Sequence, residues 1–183
     1  MRAIVVYESM YGNTHTVAEA IGEGLRSVIG GDGAVGVVET SVMSVHDATA
    51  ERLTGVDLLV VGGPTHAHGM SRAVTRSSAI DDATKPEPPL DLDPDAEGDG
   101  LREWFDGIGE LGMQAAAFDT RVDMAVAFTG RASKGIAKRL RRHACDLVAE
   151  PESFLVTKDT HLEPHEVEHA RAWGEDLAAR LVG

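Results

Sequence analysis

The stretch YESMYGNTHT, residues 7–16, decides how this chain is read. It follows the apolar, β-branched run AIVVY at residues 3–7, which has the pattern of a buried strand. Behind it Val17, Ile21, Leu25 and Val28 recur at near-helical spacing, predicting an amphipathic helix from residue 14 to about 29. The stretch is therefore a strand-to-helix turn. Such a turn aims free backbone N–H groups outward, and the helix dipole adds partial positive charge there. Phosphate is the usual occupant of a site of this kind. Ser9, Thr14 and Thr16 add hydroxyls, Asn13 adds an amide, and Gly12 lets the backbone approach an anion closely. An ordinary capped helix uses the same residue types, but it needs only one of them, and here several crowd together. The stretch holds no lysine or arginine, and it matches neither G-x-G-x-x-G nor G-x-x-x-x-G-K-[ST]. Without a fixed cation it suits a phosphate monoester that is bound and kept, not one that is transferred.

Working outward, GGDG at 30–33 predicts the helix stop, and AVGVVET at 34–40 a second strand. A short helix is expected around 48–53. VDLLVVGG at 56–63 is a third strand, apolar on both faces. Residues 81–100 carry four prolines and eight acidic residues, read as a solvated or partly disordered insert that acts as a spacer. Residues 101–111 are helical, with Leu101, Trp104, Phe105 and Ile108 on one face. QAAAFDT at 114–120 is a fourth strand, and MAVAF at 124–128 reads as either strand extension or apolar loop. A helix with a basic outer face spans 133–148, a last strand 153–157, and a final helix opens at Pro164 and runs to about 181. Strands and helices alternate throughout, which implies a parallel sheet with helices on both faces. Ligands of such sheets bind beyond the carboxyl ends of the strands, so the segments after strands one, three and four matter most.

At this point the chain resembles the flavodoxin family. The run Ser9, Met10, Tyr11, Gly12, Asn13, Thr14 directly after the first strand is similar to that family's FMN phosphate loop. The resemblance covers nearly the whole chain, 1–183, as one domain, apart from the insert at about 81–100. It implies a three-layer α/β sandwich with a five-stranded parallel sheet in the order 2-1-3-4-5. It also implies that the segment GGPTHAHG at 62–69 passes against the flavin ring, through Pro64, Thr65, His66, His68 and Gly69. The opposite wall would come from the loop after strand four, with Thr120, Arg121 and Phe128. Family members often sandwich the ring between a tryptophan and a tyrosine. Here His66 and His68 are the only flat side chains in the second loop, and Trp104 and Trp173 fall at helical core positions.

The totals narrow the classes. A length of 183 residues fits one domain better than two, and suffices to bury a core without disulfides. The single cysteine, Cys145, allows no internal bridge, and a cytoplasmic location is expected. The opening run is too short for a signal peptide, and no apolar run is long enough to span a membrane. A net charge of −13 disfavours a nucleic-acid surface and suits a redox partner protein, a reductase or acceptor, with a basic face.

HEVEH at 165–169 satisfies H-E-x-x-H. It stands close to the chain end with no further histidine after it, and one surface helix cannot close a tetrahedral zinc site. No metal site or catalytic residue is assigned to it. Cys145 is expected within a helix as a buried thiol, and the basic run at 138–142 as a solvated face. The reading is an FMN-binding protein working in electron transfer through a non-covalent flavin. Two alternatives stand beside it: an FMN-dependent NAD(P)H:quinone oxidoreductase, and a flavin-free interaction module on the same fold.

Overall fold

The apolar run at the start of the chain forms β1 (Arg2–Tyr7). Its side chains alternate between two cores. Ala3, Val5 and Tyr7 face one; Ile4 and Val6 face the other. This is the two-residue period of a strand buried on both sides, as a sheet between helical layers requires. The computed structural model describes residues 1–26, 39–66, 68–85 and 90–182. Within them β1 is followed by α1 (Asn13–Arg26), β2 (Glu39–Ser44), β3 (Leu58–His66), β4 (Gly69–Met70), α2 (Ala73–Ala83) and α3 (Leu101–Ile108). Then come β5 (Gln114–Val122), α4 (Val126–Thr129), α5 (Ala132–Arg142), β6 (Asp146–Leu147), β7 (Glu152–Val156) and α6 (Glu166–Val182).

β1 lies between β2 and β3, β3 pairs with β5, and β5 carries β6 and β7 along its far edge, all parallel. With β6 and β7 taken as one interrupted strand, the order is the expected 2-1-3-4-5. Only β4 runs antiparallel, folding back on the end of β3 through Thr65–Met70 and His66–Gly69 pairs. One core fills the space under α1 and α6, with Val17, Ile21 and Leu25 facing Trp173 and Leu177. The other lies under α3 and α5, with Leu101 and Phe105 beside Ile136 and Leu140. The chain is a three-layer α/β sandwich.

Several elements depart from the sequence expectation. The stop at 30–33, residues 28 and 29 of the first helix, and residues 34–38 of the expected second strand lie outside the described residues. The strand that is described, β2, runs later, over Glu39–Ser44, with Val42 packing on one core and Met43 on the other. Residues 48–53 make turns instead of a helix, yet still bury Ala48 and Leu53. Residues 126–129 form the single turn α4. The helix α2 went unread because its buried face is only Arg76 and Ala79, which gives no apolar period. The helix expected over 133–148 ends at Arg142. Ala144 turns left-handed (φ 62°), and the N–H groups of Ala144 and Cys145 return to the carbonyls of Arg141 and Leu140. That is a Schellman cap with alanine where glycine is usual, so the sequence carried no stop signal. Cys145 is buried beyond the helix, and burial pushes its thiol pKa up. Pro164 sits in a turn, not at the first helical position; His165 follows with φ 72°, and α6 begins at Glu166.

The insert also differs. Its first residues complete α2, and Pro86 to Pro89 lie outside the described residues. Residues 90–100, however, are packed in part, with Asp91, Pro94, Glu97, Gly98 and Asp99 exposed. Asp93 and Ala96 are buried, and the Asp93 N–H donates to the Met10 carbonyl at 2.8 Å. Tyr7 donates its hydroxyl to Asp95 at 3.0 Å, and His15, stacked on Tyr7, meets Asp93 at 3.1 Å. Burial, together with that carboxylate partner, raises the Tyr7 pKa.

Candidate FMN site at the carboxyl ends of the strands

Register brings the three loops together. Tyr7 pairs with Gly62, the Glu8 N–H reaches the Gly62 carbonyl at 3.0 Å, and Gly63 and Pro64 pair with Asp119 and Thr120. The segments after β1, β3 and β5 therefore emerge side by side. Between them lies a cleft of about 180 Å³.

Its floor is made by Met10, Tyr11, Asn13 and Thr14 of the turn at 9–14. Ser9 is buried and accepts the Gly12 N–H on its Oγ at 3.1 Å. Gly12 has φ 82° with open space where a side chain would begin, so the turn can adopt the left-handed conformation with nothing standing over it. The first turn of α1 then presents the N–H groups of Asn13, Thr14 and His15, which have no acceptor within the helix. Thr14 is buried, with its Oγ1 2.8 Å from Thr120 Oγ1, so a hydroxyl pair links the first loop to the third. Asn13 donates its amide to the Thr160 carbonyl at 2.8 Å, tying the turn to the loop after β7. Met10 and Tyr11 anchor the turn from the other side: Met10 is buried against Ala79 and Ala96, and the Tyr11 hydroxyl donates to the Ala79 carbonyl at 2.9 Å. Burial raises the Tyr11 pKa.

The second wall is Pro64, Thr65 and His66. Thr65 Oγ1 accepts the Ala132 N–H at 2.9 Å, which fixes this loop to the start of α5. Burial lowers the His66 pKa; nearby Glu8 works against that shift and Arg76 with it. The third wall is Thr120 and Arg121. The Arg121 guanidinium donates to the Met124 carbonyl at 2.8 Å, while its buried Nε has no partner among the described residues.

Of the residues singled out from the sequence, Met10, Tyr11, Asn13, Thr14, Pro64, Thr65, His66, Thr120 and Arg121 line this cleft. Ser9 supports the turn from beneath, and Gly12 faces a neighbouring cleft beside His15 and Asp93. His68 and Gly69 turn away with β4, and Phe128 stands 71% exposed on α4, outside the walls. Sequence reasoning missed Val122, Val156 and Thr160, which complete the lining. Thr160 belongs to the polar turn after the last strand. Inspecting the turn at the end of every strand, instead of three of them, would have found it. Trp104 and Trp173 pack on the cores; Trp104 donates its Nε1–H to the Ala48 carbonyl at 2.7 Å. No carboxylate lines the cleft among the described residues. Its donors are backbone N–H groups, hydroxyls, an amide and one guanidinium, a set that suits an anion held at one end of a ligand.

The sequence pattern of the family described as Flavodoxin matches residues 5–119. The chain belongs to the flavodoxin family. FMN is the cofactor of this family of redox proteins, whose members act with redox partners. Among solved structures the chain is similar to a flavodoxin from the domain Archaea, with a TM-score of 0.64 and 22% identity over 100% of both chains. It is also similar to oxidised Flavodoxin 1 from Bacillus cereus, with a TM-score of 0.61 and 20% identity over 100% of this chain and 97% of that one. At these identities the likeness shows a shared flavodoxin fold. An NAD(P)H dehydrogenase (quinone) from Geobacter sulfurreducens is 32% identical over 87 residues, covering 38% of this chain and 43% of that protein. The match thus spans less than half of that relative's length. Among the described residues no helix is long and apolar enough to cross a membrane.

Proposed function

We propose that this flavodoxin-family chain holds FMN non-covalently in the cleft and serves as an electron carrier. The observation that carries the reading is the start of α1 in the cleft: Asn13 and Thr14 of its first turn line a space with no carboxylate among the described residues. Ser9, Tyr11, Gly12, Asn13 and Thr14 would hold the phosphate, chiefly through backbone N–H groups. Pro64, Thr65 and His66 on one side, and Thr120 and Arg121 on the other, would border the ring. FMN, when bound, supplies the redox chemistry; the chain supplies position and electrostatics. A net charge of −13 supports a redox partner with a basic face.

A second reading has support from the Geobacter relative: NAD(P)H-dependent reduction of a quinone. The two are separated by turnover. A carrier accepts electrons from a reductase but does not consume NAD(P)H with an added quinone; a reductase does.

The site itself is tested by titrating the purified protein with FMN and with riboflavin while following the visible spectrum. The double variant Asn13→Ala, Thr14→Val should weaken FMN binding on the order of tenfold or more, and riboflavin binding far less. Equal loss for both ligands would place the phosphate elsewhere. A colourless protein that takes up no FMN would overturn the carrier and the reductase together.

A further inference from the structure

On the far side of the His66 loop lies a second cleft, of about 320 Å³, formed by the β4 return and the starts of α2 and α3. Its polar lining is His66, His68, Arg72, Thr75 and Arg102, with no carboxylate among the described residues. In a chain of net charge −13, the first cleft shares that lack of carboxylates but holds a single arginine, whereas this one holds two. The cleft beside His15 is lined by Glu19, Asp91 and Asp93, and the one beside Trp104 by Asp99 and Glu103.

Arg102 is built into this place. Its Nε donates to the Ser71 carbonyl at 2.8 Å, and its terminal nitrogen to the Met70 carbonyl at 3.1 Å. These bonds fix the guanidinium plane without neutralising its charge. The nearby carboxylates are committed elsewhere: Glu103 to Arg76 at 3.1 Å and Asp106 to Arg139 at 2.6 Å. Glu8, buried behind His66, accepts from the Ser71 hydroxyl and from the Leu101 N–H at 2.8 Å. Arg72 is exposed, and its guanidinium forms no ion pair among the described residues. Burial, and then the like charges of Arg72 and Arg139, lower the Arg102 pKa against the opposing pull of Glu103 and Asp106. The cleft thus concentrates positive charge with no carboxylate in its lining among the described residues, although Glu103 and Asp106 offset part of the field at Arg102 from outside it. Val74 and Thr75 of the first turn of α2 also face it, where a helix start favours anions.

We infer that this cleft is a second anion site, which binds the phosphate group of a phosphorylated small molecule, with Arg72 and Arg102 as its contacts. A planar guanidinium with free N–H groups pairs with phosphate through charge-assisted, often bidentate, bonds. The two clefts share His66, so a phosphate anchored here leaves the rest of its molecule next to the His66 wall of the first cleft. The two sites share the His66 wall, but none of the residues of the 9–14 turn takes part here, so loss of the proposed phosphate turn and loss of this site are separable.

The test uses inorganic phosphate and 2′,5′-ADP as probes, with calorimetry and amide chemical shifts on the full chain. Saturable binding should shift the amides of Gly69, Val74 and Thr75. Arg72→Ala should weaken it on the order of tenfold and Arg72→Glu should abolish it. Arg72 is exposed, so neither variant threatens the fold. Asn13→Ala, Thr14→Val should leave this binding unchanged even if FMN binding is lost. Tighter binding of 2′,5′-ADP than of inorganic phosphate upholds the inference; binding no tighter than that of inorganic phosphate overturns it, leaving a site for a free anion only. Failure of both probes to bind, or binding indifferent to Arg72, overturns the inference.

Discussion

At His66, burial works against the imidazolium, and the ring's pKa falls below its ordinary value. The unfolded chain has no such burial, so its histidine takes up a proton first, near pH 6.5. Below that pH the unfolded state binds more protons, and stability falls as pH falls. This contribution is therefore present above about pH 6.5 and is lost as pH drops towards the depressed folded value. Urea denaturation at pH 7.5 and 5.5 should show a larger loss for the natural protein than for His66→Gln. A loss no smaller in the variant would mean that His66 is not the group responsible. The same residue scale shows what sequence could reveal. Ser9, Gly12 and Thr14 were legible because a strand, a turn and a helix lie within a few positions of one another. Thr160 was not, because it meets Asn13 across 147 positions through a bond to its own carbonyl, which any residue type could supply.

Elements were legible where their buried faces are apolar and periodic. β1, β3 and α1 follow their patterns closely, since each buries large side chains at the expected spacing. α2 did not, because its inward face carries an arginine held by Glu103 and Ser71. The end of α5 shows a different gap: the chain stops its helix with an alanine in the left-handed region. A non-glycine residue there costs roughly 1–2 kcal/mol. Ala144→Gly should accordingly stabilise the protein by about 0.5–1 kcal/mol, once the greater freedom of glycine in the unfolded chain is subtracted. The midpoint of urea denaturation reads this directly, and a downward shift would refute it. The acidic segment at 90–100 was legible as a loop, but its contacts were not, for a related reason. Its composition is that of a solvated loop, but Asp93 and Asp95 are used as acceptors for His15 and Tyr7, pairs that lie 78 and 88 positions apart.

The whole molecule was the easiest scale to read. Alternation of strands and helices restricts the topology to a few sheets, and doubly buried strands require helices on both faces. Composition adds the sign of the molecule's field. With net charge −13, encounter with a basic redox partner should be electrostatically steered. Its rate should then fall steeply as salt rises from about 10 mM to about 0.5 M, where the screening length becomes shorter than the protein's own charge spacing. Stopped-flow reduction across that range measures it; a flat profile would count against a charged docking face.

The interrupted fifth strand has its own bearing on the molecule in a crowded solution. β5 is edged first by the two residues of β6 and then, after a gap at 148–151, by the five of β7. Pro151 in that gap has no N–H to offer, and its carbonyl already accepts from Arg131. A second chain seeking to extend the sheet would meet two short ladders out of step, the second already occupied at its end, where Leu162 bridges Val156 and the Glu163 N–H takes the Leu155 carbonyl. The break thus guards this margin against edge-to-edge aggregation, without needing a lysine or a covering helix.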